Sequence, residues 1–263
     1  MYEFSYHRPT SVRKAATMLE KAEDPKLLAG GHTLLPTMKQ RLAAPSDLVD
    51  LASVDGLGAI EVKGRTLHVG AMARHAEVAA SEVVQEAIPA LAALAGGIGD
   101  PHVRARGTIG GSVANNDPNA DYPAACLGLG ATIVTNKRKI PADDFFVGMF
   151  ETALEEGEII TKVTFPIPRK AGYAKFPNPA SRYALVGVFA SKRGKEIRVA
   201  VTGAAPCVFR ASDMEQALAA RFAPKSLEGV SIADDDLNSD IHASAAYRAH
   251  LVGVMARRAV AAA

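Results

Sequence analysis

The chain has 263 residues, of which 48% are hydrophobic and 22% charged, the balance of a soluble globular protein with room for two domains. Thirty basic residues against 28 acidic give a net charge of +2, and without a basic tract nucleic acid is excluded as the expected partner. No apolar stretch approaches the ~20 residues of a membrane span, and "MYEFSYHRPTS" lacks the basic-then-apolar pattern of a signal peptide, so a cytoplasmic protein is expected.

In chain order, Thr10 or Ser11 can cap a helix that buries Val12, Ala15, Ala16 and Leu19 on one face. "KLLAGG" reads as a short buried strand ending in glycine, and "LLPTMKQRL" as a helix start that tolerates Pro36. "SDLVDL" is a second short strand, so a small α/β unit opens the chain. From Gly56, "LGAIEVKGRTLHVGAM" predicts a β-hairpin turning at "KGR". Residues 74 to 95 read as Ala-rich helix interrupted by Pro89, and "GGIGDPHVRARGTIGGS" as a long loop. "ATIVT" and "EIITKVTFPIP" are strands, with a turn and short helix in "PADDFFVGMF" between them. Proline, glycine and charge cluster in "PIPRKAG", which sets a domain boundary near 168. Beyond it come two strands joined by "KRGK", then helices near 211–221 and 244–261, the last with Tyr247, Leu251, Val254 and Met255 in a core stripe.

Two glycine pairs stand out. Gly30-Gly31-His32-Thr33 and Gly110-Gly111-Ser112 each leave an apolar run and precede helix-like sequence. Glycine permits positive φ and close backbone approach, and successive free N–H groups form an anion-binding nest. Each pair can be a plain turn; together they can close on a dinucleotide diphosphate, with Thr33, Thr108 and Ser112 adding hydroxyls. The G-x-G-x-x-G and P-loop fingerprints are absent, so a dinucleotide here needs a fold other than the Rossmann one. Neither H-E-x-x-H, a Cys/His cluster nor G-x-S-x-G occurs, which leaves metal and acyl-transfer sites without a foothold. His32 can contact a ligand or cap the local turn, and His102 reads as packing beside Pro101. Asp117 and Asp121 can hold ribityl or ribose hydroxyls, or cap the helix near Pro123. Asp234-Asp235-Asp236 reads as a solvated loop. Cys126 and Cys207 are the only cysteines and read as reduced, buried thiols. Two thiols cannot hold an iron–sulfur cluster, which usually takes four, so electrons handled here require an organic cofactor.

With "AGGHT" before "LLPTMKQR", then "GDPHVRARGTIGGSVANNDPNADYPAA", the chain resembles the FAD-binding medium subunit of the molybdenum hydroxylases, which includes carbon monoxide dehydrogenase medium chains and the flavin segment of xanthine dehydrogenase. The resemblance runs from "FSYHRPTS" through "LHVGAMARHAEV" to "HASAAYRAHLVGVMARRAV". It implies an α+β architecture. An FAD-binding domain of the vanillyl-alcohol oxidase (PCMH) type would span 1–168, in two α/β subdomains of about 1–55 and 56–168. A C-terminal domain over 169–263 would carry a three-stranded antiparallel sheet and helices. It also implies non-covalent FAD bound by Ala29, Gly30, Gly31, His32 and Thr33 in a first loop and by Thr108, Ile109, Gly110, Gly111 and Ser112 in a second. Asp121 would contact the ribityl region, and Lys175 and Tyr183 would lie near the isoalloxazine ring. The segment "FPNPASRYA" departs from the carbon monoxide dehydrogenase pattern. The implied partners are a large molybdenum–pterin subunit and a small subunit with two [2Fe–2S] clusters, in a dimer of heterotrimers. The implied activity is electron transfer from those clusters through FAD to an external acceptor. The alternatives are a stand-alone flavoenzyme of the same fold, such as the reductase acting on enolpyruvyl-UDP-N-acetylglucosamine, and a binding module that has lost its cofactor.

Overall fold

The computed structural model describes residues 1–263, arranged around three main sheets, with a fourth, two-stranded sheet of Phe146–Gly148 and Glu151–Thr152. The first is parallel, with Asp47–Asp50 between Ser5–His7 and Pro25–Leu28. Ser11 caps helix Val12–Lys21, its Oγ accepting from the Lys14 N–H at 3.3 Å. That helix buries Ala15 against Val49 and Leu51, with Val12, Ala16 and Leu19 packed around them. Strand Ser5–His7 is an addition to the sequence reading. Its side chains are largely exposed, so it carries no hydrophobic alternation and forms only because the parallel ladder to Asp47–Asp50 satisfies its backbone.

The second sheet is antiparallel throughout, in the order Ile60–Lys63, Thr66–Gly70, Ile160–Pro166, Thr132–Thr135, Lys139–Pro141. The expected hairpin is its first pair, turning at Gly64 with φ +61°. The Ala-rich stretch is three short helices, His75–Ala80, Glu82–Ala87 and Pro89–Gly96. Ser81 caps the second, and Pro89 stands at the start of the third, where its missing N–H costs nothing. The expected long loop is corrected: it holds helices Pro101–Arg106 and Ile109–Asn115. Each starts at a side-chain cap, Asp100 Oδ1 on the Val103 N–H at 2.9 Å and Thr108 Oγ1 on the Gly111 N–H at 3.1 Å. "PADDFFVGMF" contains strand residues as well as the short helix Ala142–Phe145.

The third sheet runs Lys170–Pro177, Ala184–Arg193, Glu196–Thr202, with the two-residue Phe209–Arg210 as a fourth, edge strand beyond the three expected. Helices Ser212–Ala220 and Ala245–Ala261 cover it; Leu251 and Met255 are buried, whereas Tyr247 stays exposed. The wholly buried helix Tyr122–Leu129 joins the second and third sheets. Ser191 Oγ donates to Gly128 O at 2.5 Å, and a Cβ on Gly128 would stand 2.8 Å from the Phe189 ring, so only glycine lets helix and strand close up. No helix is long and apolar enough to cross a membrane.

Candidate functional site

A cavity of about 600 Å³ opens where the first two sheets meet, within the ~300–1,000 Å³ of small-molecule clefts. Both glycine corners line it, and residues 181–183 ahead of strand Ala184–Arg193 form one edge.

The first corner follows strand Pro25–Leu28. Gly31 turns the chain at φ +73°, the left-handed region where side chains are disfavoured. The N–H groups of Gly30, Gly31, His32 and Thr33 find no acceptor within the protein. Four consecutive free amides beside a cavity are donors awaiting an anion. The two corners touch: a Cβ on Gly30 would lie 2.8 Å from Gly107 Cα and overlap Arg106 O. Ala29, Gly30, Gly31, His32 and Thr33 all line the cavity. His32 Nε2 lies 3.4 Å from His102 O, which ties the first corner to helix Pro101–Arg106.

The second corner differs from its sequence reading. Its amides are spent internally: Ile109 N–H donates to Ala73 O at 3.0 Å, Gly110 N–H to Ala71 O at 2.9 Å, Gly111 N–H to Thr108 Oγ1, and Ser112 N–H to Thr108 O at 3.0 Å. Gly110 is glycine because Ala71 leaves no room, its Cβ and O falling 2.6 and 2.7 Å from an added Cβ. Ile109 is fully buried in the core and does not line the cavity, since the cap at Thr108 turns its side chain inward. Thr108, Gly110, Gly111 and Ser112 do line it. Gly111 faces Ala29 across the gap, 3.7 Å from an added Cβ, and the Ser112 hydroxyl has no protein partner. This corner is a close-fitting wall with hydroxyls.

Asp121 stands in the cavity wall and is buried. It occupies the N-cap position of helix Tyr122–Leu129, yet its side chain makes no cap bond; its Oδ1 instead meets the Tyr173 hydroxyl and the Lys175 ammonium, the latter at 2.9 Å. Burial raises its carboxyl above the usual range, a rise that Lys175 and Tyr173 offset only in part. Lys175 does not line the cavity. It lies behind Asp121 and also donates to Gly97 O at 2.8 Å, because the pairing of strand Lys170–Pro177 aims it at the buried carboxylate. Asp117 lines the cavity and accepts from the Asn119 N–H at 2.9 Å. Tyr183 lines the cavity edge, half exposed, and burial together with Asp117 and Asp121 raises its phenol. Asn178 braces the turn that presents it: its Oδ1 accepts from Ala180 and Ser181, and its N–H donates to Tyr183 O at 2.7 Å.

Among the cavity residues that no motif marked are His75 and Glu158. His75 is buried beneath Gly107, and desolvation pulls its pKa to about 4, so it is a neutral wall. Its Nδ1 has no partner. Glu158 is gripped bidentately by Arg138 at 2.9 and 3.0 Å, and also accepts from Thr135 and the Glu155 N–H; these bonds hold its pKa at about 2. Their only sequence trace is position beside a strand end, which no motif marks.

Free amides at a bare corner, hydroxyls opposite, and a cleft of this volume fit a dinucleotide cofactor. Residues 2–168 match the family model described as the FAD binding domain in molybdopterin dehydrogenase, and residues 171–263 match the CO dehydrogenase flavoprotein C-terminal domain. The chain belongs to the FAD-binding medium-subunit family of the molybdenum hydroxylases. Members with similar sequences include the nicotine 6-hydroxylase medium subunit of Paenarthrobacter nicotinovorans, 38% identical over 97% of this chain and 95% of that protein. The carbon monoxide dehydrogenase medium chain of Hydrogenophaga pseudoflava is 35% identical over 99% and 96%. A structure of carbon monoxide dehydrogenase from the same organism, lacking the Mo-pyranopterin moiety of the molybdenum cofactor, matches with a TM-score of 0.90 at 36% identity over 99% of this chain and 97% of that one. As a family member the chain is a flavoprotein subunit of an oxidoreductase, and its cofactor is FAD.

Proposed function

We propose that this chain is the electron-transfer subunit of a molybdenum hydroxylase complex, collecting electrons from the [2Fe–2S] clusters of a small subunit and passing them to an external acceptor. Hydroxylation then takes place on a large molybdenum–pterin subunit, in a dimer of heterotrimers in the cytoplasm. FAD would supply the conversion of single-electron traffic into two-electron reduction. This chain's residues do the holding. The amides of Gly30 to Thr33 would donate to the diphosphate, and the Thr108 and Ser112 hydroxyls would serve it from the facing corner. Asp121 would accept from the ribityl region, and Tyr183 would serve the ring end. Residues 1–168 serve as the FAD-binding domain and 169–263 as the closing domain.

The observation that carries this reading is the run of four amides without acceptors, set against a second glycine corner in the cleft where two sheets meet. Co-expression with the neighbouring small and large subunits tests it. Recovery of one complex, and bleaching of the flavin absorption when the iron–sulfur subunit is reduced, is the expected outcome. A chain that takes up FAD but purifies alone and accepts electrons directly from a small-molecule donor would overturn it.

A further inference from the structure

A carboxylate buried in a cavity wall must be paired or it takes up a proton. Asp121 is paired in an asymmetric way. Oδ1 receives both the Tyr173 hydroxyl and the Lys175 ammonium, whereas Oδ2 bonds to no other residue. The Asp121 and Lys175 side chains are only 3% and 10% exposed. Asp121 lines the cavity; Tyr173 and Lys175 do not.

The neighbouring strand is built around this arrangement. Gly187 stands opposite Lys175 in the ladder, and a Cβ there would lie 2.5 Å from Tyr173 Oη. Its missing side chain is the space through which the Tyr173 hydroxyl reaches Asp121. Lys175 spans two walls, since its bond to Gly97 O fixes the turn that carries Ile98 and Gly99 into the cavity.

We propose that Tyr173 and Lys175 are positioning residues that fix the Asp121 carboxyl, with Oδ1 held by the protein and Oδ2 left on the cavity side to accept a hydrogen bond from an O–H or N–H of the cofactor. This rests on the reading of the cleft as the FAD site. The groups facing Asp121 are Lys175 and Tyr173 from strand Lys170–Pro177, Tyr183 from the turn before the next strand, and Tyr122 from its own helix, with Asp117 acting on Tyr183 alongside it. All three tyrosines titrate above their ordinary range, and Lys175 is the one cation in the set. Removing it leaves burial unopposed by a charge, and the Asp121 carboxyl moves further up.

The test is FAD affinity of the full-length chain, measured by flavin fluorescence between about pH 6 and pH 9. Wild type is expected to vary by no more than about twofold. In Lys175→Met, affinity is expected to fall about tenfold toward the acidic end, as Asp121 protonates and Oδ2 ceases to be an anionic acceptor. Tyr173→Phe, which removes one oxygen and leaves the ion pair, is expected to show the same trend at about threefold and keeps the test open if Lys175→Met does not fold. The double variant Lys175→Met/Asp121→Asn is expected to be flat at the weakened level. Profiles in both single variants as flat as wild type would overturn the proposal, as would a pH dependence that survives in the double variant. A wild-type chain that binds no FAD would overturn the reading of the cleft, and this inference with it.

Discussion

Gly30→Ala puts a methyl group where the two glycine corners meet. The added Cβ would overlap Arg106 O and sit 2.8 Å from Gly107 Cα, against an ordinary contact of at least 3.4 Å. Both partners are backbone, and Gly107 cannot give way: its N–H donates to Val103 O at 2.8 Å and its carbonyl accepts from the His75 N–H at 2.9 Å. Overpacking of this kind costs about 1–3 kcal/mol. The chain can relieve it only by moving the first corner off the second, which also parts the Gly30–Thr33 amides from the Thr108 and Ser112 hydroxyls. FAD affinity is therefore expected to fall about tenfold or more, each 1.4 kcal/mol being roughly a factor of ten, and the melting temperature of the cofactor-free chain is expected to drop by about 2–12 °C, at about 2–4 °C per kcal/mol. Differential scanning fluorimetry with and without FAD, and a fluorescence titration, read the two effects separately. A Gly30→Ala chain with wild-type melting and wild-type FAD affinity would show that the corners are not in contact.

Gly111→Asp is the complementary change: an added Cβ meets the Thr108 hydroxyl at 3.0 Å and Ala29 Cβ at 3.7 Å, so one side-chain oxygen must give by a few tenths of an ångström and melting should shift less than in Gly30→Ala. FAD retention should nevertheless fall about a hundredfold, through like-charge repulsion beside the diphosphate, and normal flavin content in the purified variant would remove the second corner from the site. Glu158, held at about pKa 2 by Arg138, stabilises the chain above the ordinary carboxylate range, and that stability is lost as pH falls toward 2. Discounted because Arg138 is partly exposed, it is worth about 2 kcal/mol. The difference in denaturation midpoint between wild type and Glu158→Gln should shrink through that acid window, and a constant difference would refute the assignment. Asp100→Ala removes the cap of helix Pro101–Arg106 and should cost about 1 kcal/mol in urea denaturation, with no measurable loss counting against the cap.

Much of the fold is legible where burial writes a period into the sequence. Strands such as Thr66–Gly70 alternate, the helix from Val12 shows one apolar face, and Gly31 turns the chain where glycine is needed. What stays hidden depends on partners far away in sequence. The Gly110 amide reads as a free donor until Ala71 O takes it, and Lys175 reads as a cavity residue until the ladder with Ala184–Arg193 turns it behind Asp121. Helix Pro101–Arg106 hides behind glycine and proline punctuation that, with Asp100 as cap, starts a helix rather than preventing one. His75 and Glu158 belong to no motif, and only the packing of Gly107 over one and the grip of Arg138 on the other reveal them.

One structure bears most directly on the site: the chain crystallised with FAD at full occupancy. Diphosphate oxygens about 2.7–3.2 Å from the Gly30 to Thr33 nitrogens, with Ser112 facing them, are the expected result. Well-defined cofactor whose diphosphate lies elsewhere, while those four amides bond only to water, would contradict it.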